Sequence, residues 1–261
     1  MPETTLTLIG TNSVLPEGRD DTVNFLINGS LQVDCGWCAA MQMLPLGHTP
    51  LDLEYLFFTH CHHDHYLGLP ALLFYRRMAG RRGGANLPPL KIIGPPDDLP
   101  LVVSRALHFL QTERFPEVEA AVELLPLTPG EMFECDAFRL QTIRSRHPVT
   151  GFCTRFTDKA TGVVLGFTGD TAPHPGVPEL MAGCDLMLHE ASRPPEADPE
   201  SLANHSRAVD AAEAARAAGA KALRLVHLSH ALRERSLAAA REVFPRTRLA
   251  EAGETLVWNR G

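Results

Sequence analysis

Seven residues, Thr59-His60-Cys61-His62-His63-Asp64-His65, constrain this chain more than any other stretch. They put imidazoles at 60, 62 and 65 and a carboxylate at 64, with a fourth histidine at 63. Solvated loops rarely concentrate histidine this way, and the pattern reads as a site for metal ions. The apolar run Leu56-Phe57-Phe58 reads as a buried strand and Leu67 to Met78 as a helix, so the cluster occupies a strand-to-helix turn. Residues two apart on an extended stretch point the same way, so His60 and His62 can grip one ion. Asp64 and His65 fall where the chain bends and can face a second ion beside the first.

The flanking pattern is strand-rich. Thr4 to Ile9, Thr22 to Ile27 and Leu31 to Asp34 read as strands, with Asn28-Gly29 as a tight turn and Gly10 to Asp21 as a polar loop. Ala39 to Leu44 reads as a short helix stopped by Pro45, and Leu53 to Phe58 as the strand that delivers the histidine turn. Gly80 to Pro89 reads as a mobile loop, Leu90 to Ile93 as a strand and Leu99 to Leu110 as a helix. Further strands are expected at Val122 to Leu125 and Phe138 to Arg144, then a hairpin of Gly151 to Thr157 with Gly162 to Thr168. Leu186 to Leu188, Ala222 to Val226, Thr247 to Ala250 and Thr255 to Trp258 complete the strands; Arg207 to Ala218 and Leu232 to Val243 are helical. No low-complexity linker divides the 261 residues, so residues 1–261 read as one layered domain, two sheets face to face with helices outside.

Polar residues with ligand chemistry recur at the expected strand ends: His147, Asp170, Glu190 and His227. Loops at one edge of packed sheets converge, so distant ligands can share a site. A dinuclear site needs three imidazoles on one ion, an aspartate and two imidazoles on the other, and a bridging carboxylate. His60, His62 and His147; Asp64, His65 and His227; and Asp170 fit that count.

These motifs resemble those of the metallo-β-lactamase fold, whose HxHxDH motif matches His60 to His65 and whose later ligands match His147, Gly169-Asp170-Thr171 and His227 in order. The resemblance covers nearly the whole chain and implies an α/β, four-layer αββα sandwich. Asp34-Cys35-Gly36, Leu188-His189-Glu190-Ala191-Ser192, His205-Ser206 and His227-Leu228-Ser229 resemble segments of the ribonuclease Z branch, which hydrolyses phosphodiesters. By that resemblance His205 corresponds to a histidine facing the scissile phosphate, Glu190 to the carboxylate that orients it, and Asp34 to an acid supporting the metal turn. A histidine held by a carboxylate can stay protonated near neutral pH and protonate a leaving alkoxide. Ser206 reads as the N-cap of the following helix.

The expected mechanism is attack by hydroxide formed between two divalent cations, oriented by Asp64, with His205 as general acid. Zinc is the first expectation for a histidine-rich site, with manganese or iron admitted by the carboxylates. Ribonuclease Z carries a long arm for transfer RNA between the third histidine and the bridging aspartate. Here that interval is 170 − 147 = 23 residues, enough only for a hairpin. The chain thus resembles the arm-less phosphodiesterases of the branch, such as the cyclic-phosphate diesterase of phosphonate breakdown, though it lacks that enzyme's amino-terminal cysteine cluster. The alternatives are RNA 3′ processing and hydrolysis of a lactone, ester or thioester.

Composition narrows the partners. A formal net charge of −7 argues against a surface built for broad, stable nucleic-acid binding, so a small phosphodiester is the expected substrate. The sequence shows neither a signal-peptide pattern nor an apolar run near membrane-spanning length, and its six cysteines are not a dense framework; the expected location is cytoplasmic, away from membranes. Arg76, Arg77, Arg81 and Arg82 read as a solvated helix end or a phosphate contact near the site mouth. Cys61, His63 and His189 are expected to point away from the metals, and His230 to lie at the site edge. The family resemblance also implies a homodimer.

Overall fold

Period-two alternation sorts the strand residues into three apolar layers. In the computed structural model, which describes residues 2–84 and 87–259, the first seven strands are β1 (Glu3–Asn12), β2 (Asp21–Thr22), β3 (Asn24–Ile27), β4 (Leu31–Val33), β5 (Tyr55–Phe57), β6 (Leu90–Gly94) and β7 (Val122–Pro126). The next seven are β8 (Met132–Glu134), β9 (Phe138–Arg144), β10 (Phe152–Asp158), β11 (Val164–Phe167), β12 (Leu186–Glu190), β13 (Leu223–Val226) and β14 (Thr247–Leu249). The last, β15 (Thr255–Asn259), returns to the first sheet. One sheet runs β15-β1-β3-β4-β5-β6-β7, with β2 on β1; the other runs β14-β13-β12-β11-β10-β9-β8.

Phe25, Ile27, Tyr55 and Phe57 face inward and meet Leu140, Phe152, Phe156, Phe167 and Leu188 of the opposite sheet. The alternate residues Leu26, Leu56 and Phe58 face outward onto helices α1 (Ala39–Gln42), α2 (His63–Tyr66), α3 (Leu69–Arg82) and α4 (Leu99–Phe109). Met187, Leu223 and Leu225 likewise meet α5 (Val177–Leu180), α6 (Ala208–Ala217) and α7 (Arg233–Val243), with alanines of α6 allowing close approach. The result is a single-domain αββα sandwich of two mixed sheets. Among the described residues no helix is long and apolar enough to cross a membrane.

Several elements depart from the sequence reading. The strand expected over Thr4 to Ile9 continues to Asn12, its polar end sustained by the buried Asp20 carboxylate, which accepts from Thr11 N and Oγ1 at 2.8 Å each. Thr22 to Ile27 is broken between β2 and β3, where the register shifts. The helix expected over Leu67 to Met78 is α3, which starts two residues later at Leu69 and runs on to Arg82, with the short α2 before it; between them lies Gly68, where a Cβ would lie 2.1 Å from the Gly36 carbonyl. Only glycine permits that approach. The Gly80 to Pro89 loop is helical to Arg82; positions 85–86 lie outside the described residues. The basic cluster is a helix clamp, not a site at the mouth. Arg76 is buried and donates to the carbonyls of Pro50 (2.9 Å), Leu53 (2.8 Å) and Pro88 (3.0 Å), while Arg77 and Arg81 both donate to the Glu117 carbonyl at 3.0 Å.

Ser206 does not cap α6. Arg207 is the N-cap, with Asp210 accepting its backbone N–H at 2.8 Å and its guanidinium in a bidentate pair, and the Ser206 hydroxyl donates instead to the Thr171 carbonyl at 2.8 Å. The residues between His147 and Asp170 are consumed by the β10–β11 hairpin, as the interval required.

Candidate metal centre

Parallel strands share an edge at their carboxyl ends, and that edge gathers the polar residues. His60 follows β5, His147 follows β9, Asp170 follows β11, Glu190 ends β12 and His227 follows β13. The sheets are tied together there, since Thr59 O accepts from Phe152 N at 2.9 Å and His60 bridges Gly151.

Asp34 builds the turn from beneath. It ends β4 with φ 56°, a left-handed conformation that aspartate tolerates better than most residues. One carboxylate oxygen accepts from Thr59 N; the other accepts from Thr59 Oγ1 and His65 Nδ1, all at 2.8 Å. This fixes the His65 tautomer, leaving Nε2 for the centre. His65 O also accepts from Cys35 N at 2.7 Å. Replacing Asp34 with alanine strands two buried N–H groups and a hydroxyl. The expected result is about a 10- to 100-fold loss of metal affinity, measured by competition with a chromophoric chelator.

Asp170 is the hub, 3% exposed. Its Oδ2 lies 3.6 Å from His60 Nε2, 3.5 Å from His227 Nε2 and 4.0 Å from His147 Nε2, and its Oδ1 lies 3.6 Å from His65 Nε2. Burial opposes its ionisation, but His227, His65 and His60 hold its pKa well below the usual carboxylate range. Asp64 Oδ2 lies 3.2 Å from His227 Nε2 and 3.5 Å from His65 Nε2. Ligand-capable atoms of His60, His62, His147 and Asp170 lie within 4.8 Å of one another, as do those of Asp64, His65 and His227, and those of Asp170, His205 and His227.

Three buried atoms pointing into this space, His60 Nε2, His65 Nε2 and Asp170 Oδ1, have no hydrogen-bond partner. Orphaned polar atoms converging from several strands cost stability unless a group accepts their lone pairs, and metal ions do so. Burial is the first cause lowering the pKa of His60, His62 and His147, which favours the neutral rings that ligation requires. The cluster is therefore able to hold metal ions.

A second polar array abuts it. His205 Nδ1 donates to Glu190 Oε1 at 2.9 Å and lies 3.9 Å from Asp170 Oδ2. Burial opposes the charged His205 ring, but the Glu190 hydrogen bond and charge, with Asp170, override it and raise its pKa. Glu190 is fully buried and also accepts from Thr171 N, Ser192 N and Ser192 Oγ, so its carboxylate cannot swing.

Other supports carried little sequence signal. The Asn204 carbonyl accepts from His147 Nδ1 at 2.9 Å, and any residue type would supply it. Ser13 Oγ, directly after β1, lies 3.5 Å from His227 Nδ1. His227 has φ 55°, strain that its fixed position maintains. Of the residues expected to point away, His63 is exposed beside Tyr66, Cys61 packs on the outer helical layer, and His189 Nδ1 donates to the Glu190 carbonyl. His230 lies in an ion cluster with Glu17, Asp20 and Arg233.

The Beta-lactamase superfamily domain matches residues 24–228, and the chain belongs to that superfamily. Among curated proteins it is 28% identical to ribonuclease BN of Erwinia tasmaniensis over 306 residues, covering 94% of this chain and 97% of the relative. It is also 28% identical to ribonuclease Z of Methanothermobacter thermautotrophicus, covering 94% of each. Among solved structures, the metallo-beta-lactamase fold protein YhfI of Bacillus subtilis superposes with TM-score 0.83 at 23% identity, covering 98% of this chain and 100% of that one. A diphosphatase of the PhnP family superposes with TM-score 0.67 at 18% identity, covering 98% of each.

Proposed function

We propose that this chain is a dinuclear metal-dependent phosphodiesterase acting on small or cyclic phosphodiesters. The observation that carries the reading is the Glu190–His205 pair, 2.9 Å long, set against the hub carboxylate Asp170. A thiolate leaving a thioester does not call for such a pair, whereas an alkoxide leaving phosphorus needs a proton.

In this reading His60, His62 and His147 would hold one ion and Asp64, His65 and His227 the other, with Asp170 within reach of both sets. Zinc suits the imidazoles best, with manganese or iron admitted by the carboxylates. Two such ions, when bound, supply charge to the phosphoryl oxygens and acidify water. Asp64 would also orient the attacking group. His205 keeps its Nδ1 proton on Glu190 and delivers the Nε2 proton to the leaving oxygen. Glu190, fixed by its other donors, stabilises the charged ring before transfer.

Substrate size follows from what the hairpin leaves out. The ribonuclease BN alignment of 306 positions exceeds the 261 residues here, so that relative carries at least 306 − 261 = 45 residues this chain lacks. With a net charge of −7, this favours a compact diester. RNA 3′ processing is the second reading, favoured by the ribonuclease names of relatives spanning nearly the whole chain. A panel of bis(p-nitrophenyl) phosphate, cyclic nucleotides, precursor transfer RNA and a lactone separates them. Preferred cleavage of precursor transfer RNA selects the second reading, and turnover of the lactone alone rejects both.

A further inference from the structure

At the opposite end of β13 from the metal centre, residues of both sheets line an open cleft of about 540 Å³. One wall is made by the starts of β12, β13 and β14, the other by Leu256 and Trp258 of β15. Of the described residues lining it, five are cationic (Lys221, Arg224, Arg241, Arg246 and Arg248) and one, Asp185, is acidic. That is a concentrated positive site on a chain whose net charge is −7.

Arg224 makes the cleft more than a charged surface. It projects from the inner face of β13, two residues before the core residue Val226, and is only 6% exposed. One amino group pairs with Glu254 Oε1 at 2.7 Å, but its buried Nε has no partner. Its cross-strand neighbour in the β13–β14 register is Arg248, so two guanidinium groups leave adjacent positions on one face. Like charges so placed are destabilising, and the Glu254 carboxylate that pairs with Arg224 balances one of the two positive charges. Lys221 is paired with Asp185, and Arg241 and Arg246 each spend one donor on a backbone carbonyl, which leaves further guanidinium N–H groups for a ligand.

We propose that this cleft binds a nucleotide, with its phosphates between Arg224 and Arg248 and its base against the half-buried Trp258 indole. Guanidinium forks match phosphate geometry, and an indole face accepts any base. The ligand is not the reacting phosphodiester. Arg224 precedes His227 by three residues along a strand, a rise of roughly 10 Å. The site is therefore separate from the metal centre, and its existence does not depend on the reaction assigned there.

Isothermal titration of the metal-loaded protein with adenosine monophosphate and with pyrophosphate tests the proposal. Arg248 is exposed, so Arg248→Glu leaves the core intact. The expected result is nucleotide affinity lowered about tenfold or more in Arg248→Glu, as losing a charged hydrogen bond predicts, with chelator-sensitive hydrolysis of bis(p-nitrophenyl) phosphate unchanged. Trp258→Leu should weaken the nucleotide and spare pyrophosphate. Equal nucleotide affinity in the wild type and Arg248→Glu, or no binding by the wild type, overturns the site. Binding of pyrophosphate without the nucleotide overturns the ligand class.

Discussion

Replacing His205 with alanine is expected to lower turnover of a phosphodiester with an alkoxide leaving group by about 100- to 10,000-fold, the range for a positioned general acid. The loss should shrink sharply with p-nitrophenolate as leaving group, because that anion departs without a proton. Metal content should not change. This last readout matters because His205 also lies within ligand range of Asp170 and His227. A structural or ligating role predicts equal losses for both leaving groups and a fall in bound metal. Glu190→Gln should reproduce the leaving-group dependence more weakly, since an amide still accepts from His205 Nδ1 but no longer stabilises its charge.

The second large effect is expected at Asp170. Alanine there removes the carboxylate that lies within 4.0 Å of His60, His65, His147 and His227 together. Outer residues that only orient ligands already cost up to about 100-fold in metal affinity when lost, so a carboxylate shared between two ions should cost more. Elemental analysis after dialysis should show bound metal falling below one ion per chain, with phosphodiester turnover at background. An Asp170→Ala protein that keeps two ions would remove Asp170 from the bridging position. Circular dichroism guards against misfolding, since the change also removes a buried carboxylate packed among the histidines of the centre.

Much of the site is written in local sequence, because metal ligands need fixed residue types at strand ends. The spacing of His60, His62, Asp64 and His65 follows from an extended segment entering a helical turn, and both are local properties. His147, Asp170, Glu190 and His227 were legible as polar residues each closing an apolar run. The supports were less so. Asp34 is marked as a support of the metal turn only by the family resemblance, because its three acceptor contacts to Thr59 and His65 are tertiary, and the Asn204 carbonyl has no residue-type signature at all.

The same division runs through the fold. The alternation in β3 and β5 exposed both apolar faces, and Asn28-Gly29 supplied the left-handed turn, with φ 52° and 67°. The polar end of β1 was hidden, because Gly10-Thr11-Asn12 is kept extended by tertiary contacts: the Asp20 carboxylate, pairing with β2 and β3, and the His227 N–H on the Thr11 carbonyl. β8 has three residues, too few for a period. At Ser206 a residue-type preference for N-caps lost to a tertiary hydrogen bond, because the Thr171 carbonyl took the hydroxyl. Arg76 illustrates the reverse: a charged residue that composition assigns to solvent is buried because four backbone carbonyls receive it.

The most direct measurement is a metal titration of stripped protein. Protein freed of metal by a chelator and dialysis is titrated with zinc or manganese, and hydrolysis of bis(p-nitrophenyl) phosphate is followed alongside bound ion. The expected curve starts at background and reaches its plateau at two ions per chain. Full activity in the stripped protein, or a plateau at one ion with no further gain, would contradict the dinuclear reading.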